Sequence, residues 1–469
     1  MNVSFYTLGC KLNYAETSQL QHVFEQAGHA VVPFGQPSDA VIINTCTVTE
    51  NADKECRQII RRALRTSPEA FVGVTGCYAQ LQPEEIASIE GVDAVFGAKE
   101  KFKIPSLVEG VAGGFRKFAT PHCFVDELDG DIEFVEAHSS QTDSRTRAFL
   151  KLQDGCNYKC SFCTIPLARG KSRAMEFSRI PEKIRELERA GYYEVVLSGI
   201  NLGDYRASTG EEFTDVVRAI EALQPNLRVR ISSIEPNLLT NEIIDIIAQS
   251  RVFCPSFHIP LQSGSPEILR QMRRRYKADY YAELVHRIHS AMPDAAIGVD
   301  VIVGFPTESD AYFEETFQFL HELPVSYLHV FSYSERENTP AAELSAHGGS
   351  VPAHKRAERS KQLRTLSAKK KLHFYHEQAK SLNASNHAAF GERIVIPEQR
   401  NAETGLWSGW TENYVRVEFA APHLLVQAPV RVRLQEVNPA TSGETMLAEY
   451  VGQVQREASH HAAYIPIMA

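Results

Sequence analysis

The stretch Asp154-Gly155-Cys156-Asn157-Tyr158-Lys159-Cys160-Ser161-Phe162-Cys163 sets three thiols in the spacing C-x3-C-x2-C. Thiolates are soft donors that favour zinc, copper(I) or iron–sulfur clusters. A structural zinc site takes four ligands, usually as two pairs. No second pair follows here; the next cysteine is Cys254. A four-iron cluster held by three thiolates leaves one iron open to a further ligand, so the shortfall fits iron better than zinc. The competing reading is a chance grouping or a partial zinc site.

A second set of thiols is dispersed. Cys10 ends the apolar run Val3–Cys10, Cys46 ends Ala40–Cys46, and Cys77 ends Phe71–Cys77. Each run reads as a buried strand, and helical patterns lie between them, the first from Ala15 to Ala27. Strands alternating with helices predict a doubly wound parallel α/β sheet. In such sheets ligands gather at the carboxyl ends of the strands. Singly, each cysteine reads as a buried structural residue. As three at consecutive strand ends, they read as a second cluster site, again one ligand short. Cys56, Cys123 and Cys254 fall outside both sets and receive no role.

The elements that must position Cys156, Cys160 and Cys163 form a longer series. Candidate strands are Phe149–Gln153, Glu194–Ser198, Arg228–Ile234, Ser256–Leu261, Ala296–Phe305 and Tyr327–Ser334. Amphipathic stretches such as Ile180–Ala190, Tyr280–Ala291 and Ala311–Leu323 separate them. Six βα units fall short of the eight that close a standard barrel, which predicts an open partial barrel. The cysteine motif follows its first strand, at the end where barrel enzymes place chemistry. Polar or small residues recur at that end: Ser198, Gly199 and Asn201, then Ser232, Ser233 and Glu235, then His258 and Gln262, then Asp300. Each alone reads equally as a cap or a satisfied core group; together they outline a pocket.

The remaining segments frame these two units. Residues 127–147 read as a polar linker. His354–His373 carries eight Lys/Arg against one Glu and suits a helix; Leu363 and Leu366 share a face from which Leu372 falls away. Residues 376–456 show short alternating strands, which predict a small antiparallel β-barrel. Residues 457–469 carry no usable pattern. The expected domains are therefore 1–126, 148–375 and 376–456. A net charge of −9 means that bulk charge does not indicate a nucleic-acid binder, so any RNA contact needs a local feature. No run approaches the ~20 apolar residues that span a bilayer, and no basic region precedes an apolar run at the N-terminus. The expected location is cytoplasmic, with no membrane and no DNA partner.

The C-x3-C-x2-C motif, with Phe162 before its last cysteine and on a six-unit barrel, resembles the radical S-adenosylmethionine (radical SAM) enzymes. Adding Cys10, Cys46 and Cys77, nearly the whole chain resembles the methylthiotransferases of that superfamily, with a C-terminal barrel like a TRAM domain. The resemblance implies two 4Fe-4S clusters, one on each cysteine trio, and SAM as cofactor. One SAM would methylate a sulfur held on the first cluster; another, at the second, would supply the radical that removes hydrogen from the target carbon. Phe162, Ser198, Gly199, Asn201, Ser233, Glu235, His258, Gln262 and Asp300 are the implied SAM-binding set. An electron donor such as flavodoxin or ferredoxin is implied, and the sulfur source is left open.

Thr7–Thr17 (TLGCKLNYAET) and Cys163–Ala174 (CTIPLARGKSRA) are similar to the branch acting on N6-threonylcarbamoyladenosine at tRNA position 37. The implied product is its 2-methylthio derivative. Alternatives are isopentenyladenosine in tRNA, an aspartate of a ribosomal protein, or a non-catalytic iron–sulfur RNA-binding module. Likeness to a TRAM domain implies RNA binding, for which Trp410, Asn413, Tyr414 and Arg416 offer stacking and phosphate contacts. Arg169, Lys171 and Arg173 are expected to hold the anticodon loop or the carboxylate of the modification. Core packing for the aromatics and solvated charge for the cations are the competing readings.

Overall fold

In the computed structural model, the described residues are 1–46, 50–112, 114–128, 130, 132–139, 146–380, 392–422 and 428–454. Residues 140–145 of the expected linker and the tail 457–469 lie outside them.

The N-terminal unit is a wholly parallel sheet of β1 (Asn2–Thr7), β2 (Ala30–Val32), β3 (Ala40–Thr45), β4 (Phe71–Gly76), β5 (Ala94–Phe96) and β6 (His122–Phe124), in the order β2-β1-β3-β4-β5-β6. Every residue of β3 and β4 is buried, as continuous apolar strands covered on both faces must be. β2, β5 and β6 are three residues each, too short to show a period. The first helix begins at Lys11 rather than Ala15 and ends at Gln26. Its first turns bury Asn13, Glu16, Thr17 and Ser18. A polar helix face that is buried defeats a reading based on apolar spacing.

The central unit holds β7 (Ala148–Lys151), β8 (Gln153–Asp154), β9 (Arg173–Ala174), β10 (Glu194–Ser198), β11 (Arg228–Ile231), β12 (Ser256–His258), β13 (Ala296–Val303) and β14 (Tyr327–Ser332). Parallel triplets β11-β10-β7 and β12-β13-β14 meet through single bridges, Val229 with Phe253 and Ser233 with His258. The result is the expected six-stranded partial barrel. The expected first strand, Phe149–Gln153, breaks at Leu152. Its end becomes β8, which pairs antiparallel with β9 and closes the base of the loop that carries the three cysteines.

Helix Ala353–Lys380 leads into the last unit. Leu363 and Leu366 are buried while Leu372 is exposed, as their spacing predicts. β15 (Glu392–Arg400), β16 (Trp407–Thr411), β17 (Arg416–Ala420), β18 (Val430–Val437) and β19 (Met446–Gln453) close a barrel in the order β15-β16-β17-β19-β18. It is antiparallel except that β17 and β19 run parallel, a correction to the all-antiparallel expectation. β18 pairs with β15 and β19, and β19 in turn lies beside β17.

This small barrel docks against the strand starts of the central unit. Arg228 donates to the carbonyls of Ile394 (2.7 Å) and Trp410 (2.9 Å), and Arg230 to those of Glu412 (3.0 Å) and Thr411 (3.2 Å). Fully buried Glu194 holds both guanidinium groups, at 2.6 and 3.0 Å. Burial alone would raise its pKa, but Arg230 and Arg228 outweigh that and keep the carboxyl well below its usual range. Among the described residues no helix is long and apolar enough to cross a membrane.

Candidate active site

The three N-terminal cysteines converge. Cys46 follows β3 directly, Cys77 follows β4 and opens a short helix, and Cys10 precedes the helix that begins at Lys11. Gly9, at φ +99°, lies so close to Cys46 that a Cβ there would come within 2.8 Å of its Sγ. Gly76, at φ +104°, leaves no room for a Cβ against the Thr45 backbone and turns the chain so that Cys77 starts its helix. Cys10 carries accessible surface, yet burial pushes its thiol pKa up. Both hold because that surface is the wall of a cleft enclosed by protein.

Cys156, Cys160 and Cys163 lie in the loop that β8 and β9 close at its base. Burial pushes the Cys156 thiol up to about 11 and the Cys163 thiol up to about 12, with the neighbouring sulfurs adding to the effect. A metal taking them as thiolates must displace those protons. Each trio is met by one buried guanidinium: Arg169 Nε donates to Cys77 Sγ at 3.3 Å, and Arg274 Nη1 to Cys160 Sγ at 3.2 Å.

Arg169 is only 3% exposed and is saturated. Its Nη1 donates to Glu16 (2.9 Å) and Asp154 (3.0 Å), and its Nη2 to Asn13 (2.6 Å) and Glu16 (3.2 Å). Lys101 and Lys151 also bind Glu16, and Arg173 binds Asp154 at 2.7 Å. Glu16 and Asn13 belong to the first unit, Arg169 and Asp154 to the second. The network therefore pins the two cysteine-bearing units together, two residues from Cys156. A cavity of about 270 Å³ lined by Cys77, Lys101, Lys151 and Arg169 opens beside it.

At the barrel mouth, Arg274 pairs with Glu235, and Asn237 Nδ2 donates to the Tyr158 hydroxyl at 2.8 Å. Asp204 and Glu235 are close enough to push the Cys156 thiol further up. A second cavity of about 210 Å³ runs from Phe162 and Cys163 past Gln262 to Asp300 and Phe331. Asp300 accepts from His258 Nε2 at 2.7 Å.

The radical SAM superfamily model matches residues 150–320, and the model described as "Uncharacterized protein family UPF0004" matches residues 2–97. The threonylcarbamoyladenosine tRNA methylthiotransferase MtaB of Bacillus subtilis is 35% identical over 98% of both chains. Its namesake from Aquifex aeolicus is 36% identical over 89% of this chain and 96% of that one. The chain belongs to the radical SAM tRNA methylthiotransferase family. The radical SAM methyltransferase TsrM of Kitasatospora setae, solved with cobalamin and a 4Fe-4S cluster bound, superposes with a TM-score of 0.53. At 16% identity over 73% of this chain and 77% of that one, it shows a shared fold.

Radical SAM methylthiotransferases use SAM and 4Fe-4S clusters, and this site fits them. Beyond the two sets of free thiols, several buried polar atoms at the mouth have no hydrogen-bond partner: both side-chain amide atoms of Asn201, Oδ2 of Asp204 and Oδ1 of Asn237. Such atoms suit a ligand that carries both an ammonium and a carboxylate. Of the implied SAM set, Asn201, Glu235, Gln262, Asp300 and Phe162 lie at the mouth or line its cavity. Ser198 is buried with its hydroxyl on the Val196 carbonyl, and Gly199 packs on Gln153. Ser233 bridges to His258, whose ring is spent on Asp300. Arg274 was not singled out from the sequence; its only signal is the basic run Arg273-Arg274-Arg275.

The expected RNA-contacting residues divide. Arg169 is buried, and Arg173 is committed to Asp154 and to the carbonyls of Arg169 and Lys171; neither has the free face that an RNA role needs. Lys171 is exposed. Asn413 is fully buried, donating to Asp294 O and Gln378 at 2.8 Å each, so it is a joint between units and not an RNA contact. Tyr414 stacks between Trp410 (centroids 4.4 Å apart) and Tyr327 (6.3 Å), over the Arg230 guanidinium. It plugs the floor of the partial barrel. Trp410 and Arg416, paired at 5.5 Å, remain partly exposed.

Proposed function

We propose that this chain inserts a methylthio group at C2 of N6-threonylcarbamoyladenosine at position 37 of tRNA. The observation that carries the reading is a cysteine trio on each of two units that Arg169 joins, through Cys77 and Glu16 on one side and Asp154 on the other, in a chain whose relatives are named for that substrate. When bound, the first cluster would hold the sulfur that is transferred, whose source is left open, and SAM would supply the methyl group and, with the second cluster, the hydrogen-abstracting radical.

The protein's own residues would hold and shield. Cys10, Cys46 and Cys77 would anchor one cluster; Cys156, Cys160 and Cys163 the other. Asn201, Glu235, Gln262 and Arg274 would orient SAM over the second. Arg169 and Arg274 would place positive charge on one sulfur of each set, which stabilises added negative charge there. Trp410, Arg416 and Lys171 would meet the RNA, with Lys361 and Arg364, which are exposed along a groove that reaches Ser332 at the barrel mouth. Reaction on tRNA places the protein in the cytoplasm with a low-potential electron donor. Nucleoside analysis of total tRNA from a deletion strain tests this. The 2-methylthio derivative of threonylcarbamoyladenosine should vanish and return on complementation; an unchanged level would overturn the reading.

A further inference from the structure

Lys11 follows Cys10 and begins the first helix. Its side chain is accessible, and among the described residues it forms no hydrogen bond or ion pair. It is nevertheless surrounded by protein. It feels the charges of Arg230 and Arg147 and of Glu194 and Asp300, all on the walls of the partial barrel. Tyr14 and Ala15, which share the Lys11 side of that helix, pack on Phe149 and Val196, and these alternate along their strands with Ala148, Leu150, Val195 and Leu197 of the outer core, so this helix face meets the inside of the partial barrel and carries the ammonium toward its lumen.

Asp300 fixes where in the lumen this is. It ends the cavity that starts at Cys163, and Lys11 is one residue from Cys10. A nucleobase entering that cavity would carry its substituent into a lumen that Lys11 shares with Asp300. The groups around that point are Asp300, His258 and His329, whose ligating atoms lie within 4.8 Å of one another. Three such groups could take a divalent cation, but the Lys11 ammonium acts on both Asp300 and His329 and would repel one. The count of near charges is three cations, Lys11, Arg147 and Arg230, against two carboxylates, Glu194 and Asp300. Glu194 is already consumed by arginines, and Asp300 by His258. What the lumen lacks is an anion.

We propose that Lys11 is a specificity-determining residue that pairs with the carboxylate of the substrate's N6 substituent. The assignment rests on the threonylcarbamoyl reading above, since an isopentenyl group has no charge to offer. It also replaces Arg169 and Arg173 as readers of that carboxylate, because both are consumed by protein partners. An amine pairing with a carboxylate in a partly enclosed site discriminates against a neutral analogue by roughly ten- to a hundredfold.

The test is equilibrium binding to the full-length, cluster-loaded chain without SAM. The probes are anticodon stem-loops carrying N6-threonylcarbamoyladenosine, its carboxyl methyl ester, or isopentenyladenosine. The wild type should prefer the free acid to the ester by that factor. Lys11→Met should bind both at the ester's affinity, and Lys11→Arg should keep the preference. Visible absorption of each variant checks that Cys10 still serves its cluster, and the ester comparison on the wild type needs no variant. A Lys11→Met chain that keeps the wild-type preference would overturn the assignment. If the wild type shows no preference yet methylthiolates the acid stem-loop, the carboxylate goes unread and Lys11 falls alone. If it methylthiolates only the isopentenyl stem-loop, the substrate reading falls as well.

Discussion

Glu16→Gln is the sharpest probe of the joint between the two cysteine-bearing units. Glu16 is 2% exposed and accepts from Lys101 (2.6 Å), Arg169 (2.9 and 3.2 Å) and Lys151 (3.4 Å). The amide keeps the volume but removes the charge, leaving Arg169 and Lys151 with Asp154 as their remaining carboxylate and Lys101 with no ion pair among the described residues. Breaking a buried ion pair from one side costs about 3–5 kcal/mol, because the partners stay buried without compensation. At about 2–4 °C per kcal/mol for a unit of 150–250 residues, the melting point should fall by roughly 6–20 °C. The dependence on pH has a definite sign. Burial would raise the Glu16 pKa, but Arg169, Lys101 and Lys151 together hold it well below the usual range. Its stabilisation is thus present above the unfolded carboxylate pKa of about 4.3 and is lost as pH falls below it. The gap between wild type and variant should be full at pH 7 and shrink in acid. Thermal unfolding followed by near-UV circular dichroism measures this at both pH values. A variant melting within about 1 °C of wild type at pH 7 would refute the account of the joint.

Other outcomes follow from the same geometry. Cys77→Ala and Cys156→Ala should each remove one cluster's share of iron and sulfide, and only Cys156→Ala should abolish the spectral change on adding SAM. Gly76→Ala puts a Cβ 2.3 Å from the Thr45 carbonyl at a φ of +104°; it should lower iron content at the first site before the second. Glu194→Gln strips the counter-ion from Arg228 and Arg230, so limited proteolysis should release the C-terminal barrel faster, and in the wild type the same release should begin as pH drops below about 4. Arg416→Ala should weaken tRNA binding evenly across sequences and lower the salt slope by about one.

What the sequence revealed depended on how local each signal was. The cysteine spacing at Cys156, Cys160 and Cys163 is a chemical pattern within one loop and needed no fold. Cys10, Cys46 and Cys77 were legible because each ends an apolar run, so strand pattern and chemistry coincided. Strands β2, β5 and β6 left no mark because three residues hold no period. The first helix was misplaced for a different reason. Asn13, Glu16, Thr17 and Ser18 look like a solvated face, yet all are buried. Their partners lie far along the chain: Arg169 is 153 positions from Glu16 and 156 from Asn13. The expectation that Arg169 reaches RNA fails for the same reason: a guanidinium's partner cannot be read from its own neighbourhood in sequence. The two errors are one error. A polar helix face and a lone arginine each look solvated until they are set against each other, and the network they form is what holds the two thiol sets in register. A polar patch next to a ligand motif is therefore better read as a demand for a distant counter-charge than as surface. Lys11, on the same helix and with no ion pair among the described residues, is where the proposal leaves that demand for the substrate to meet.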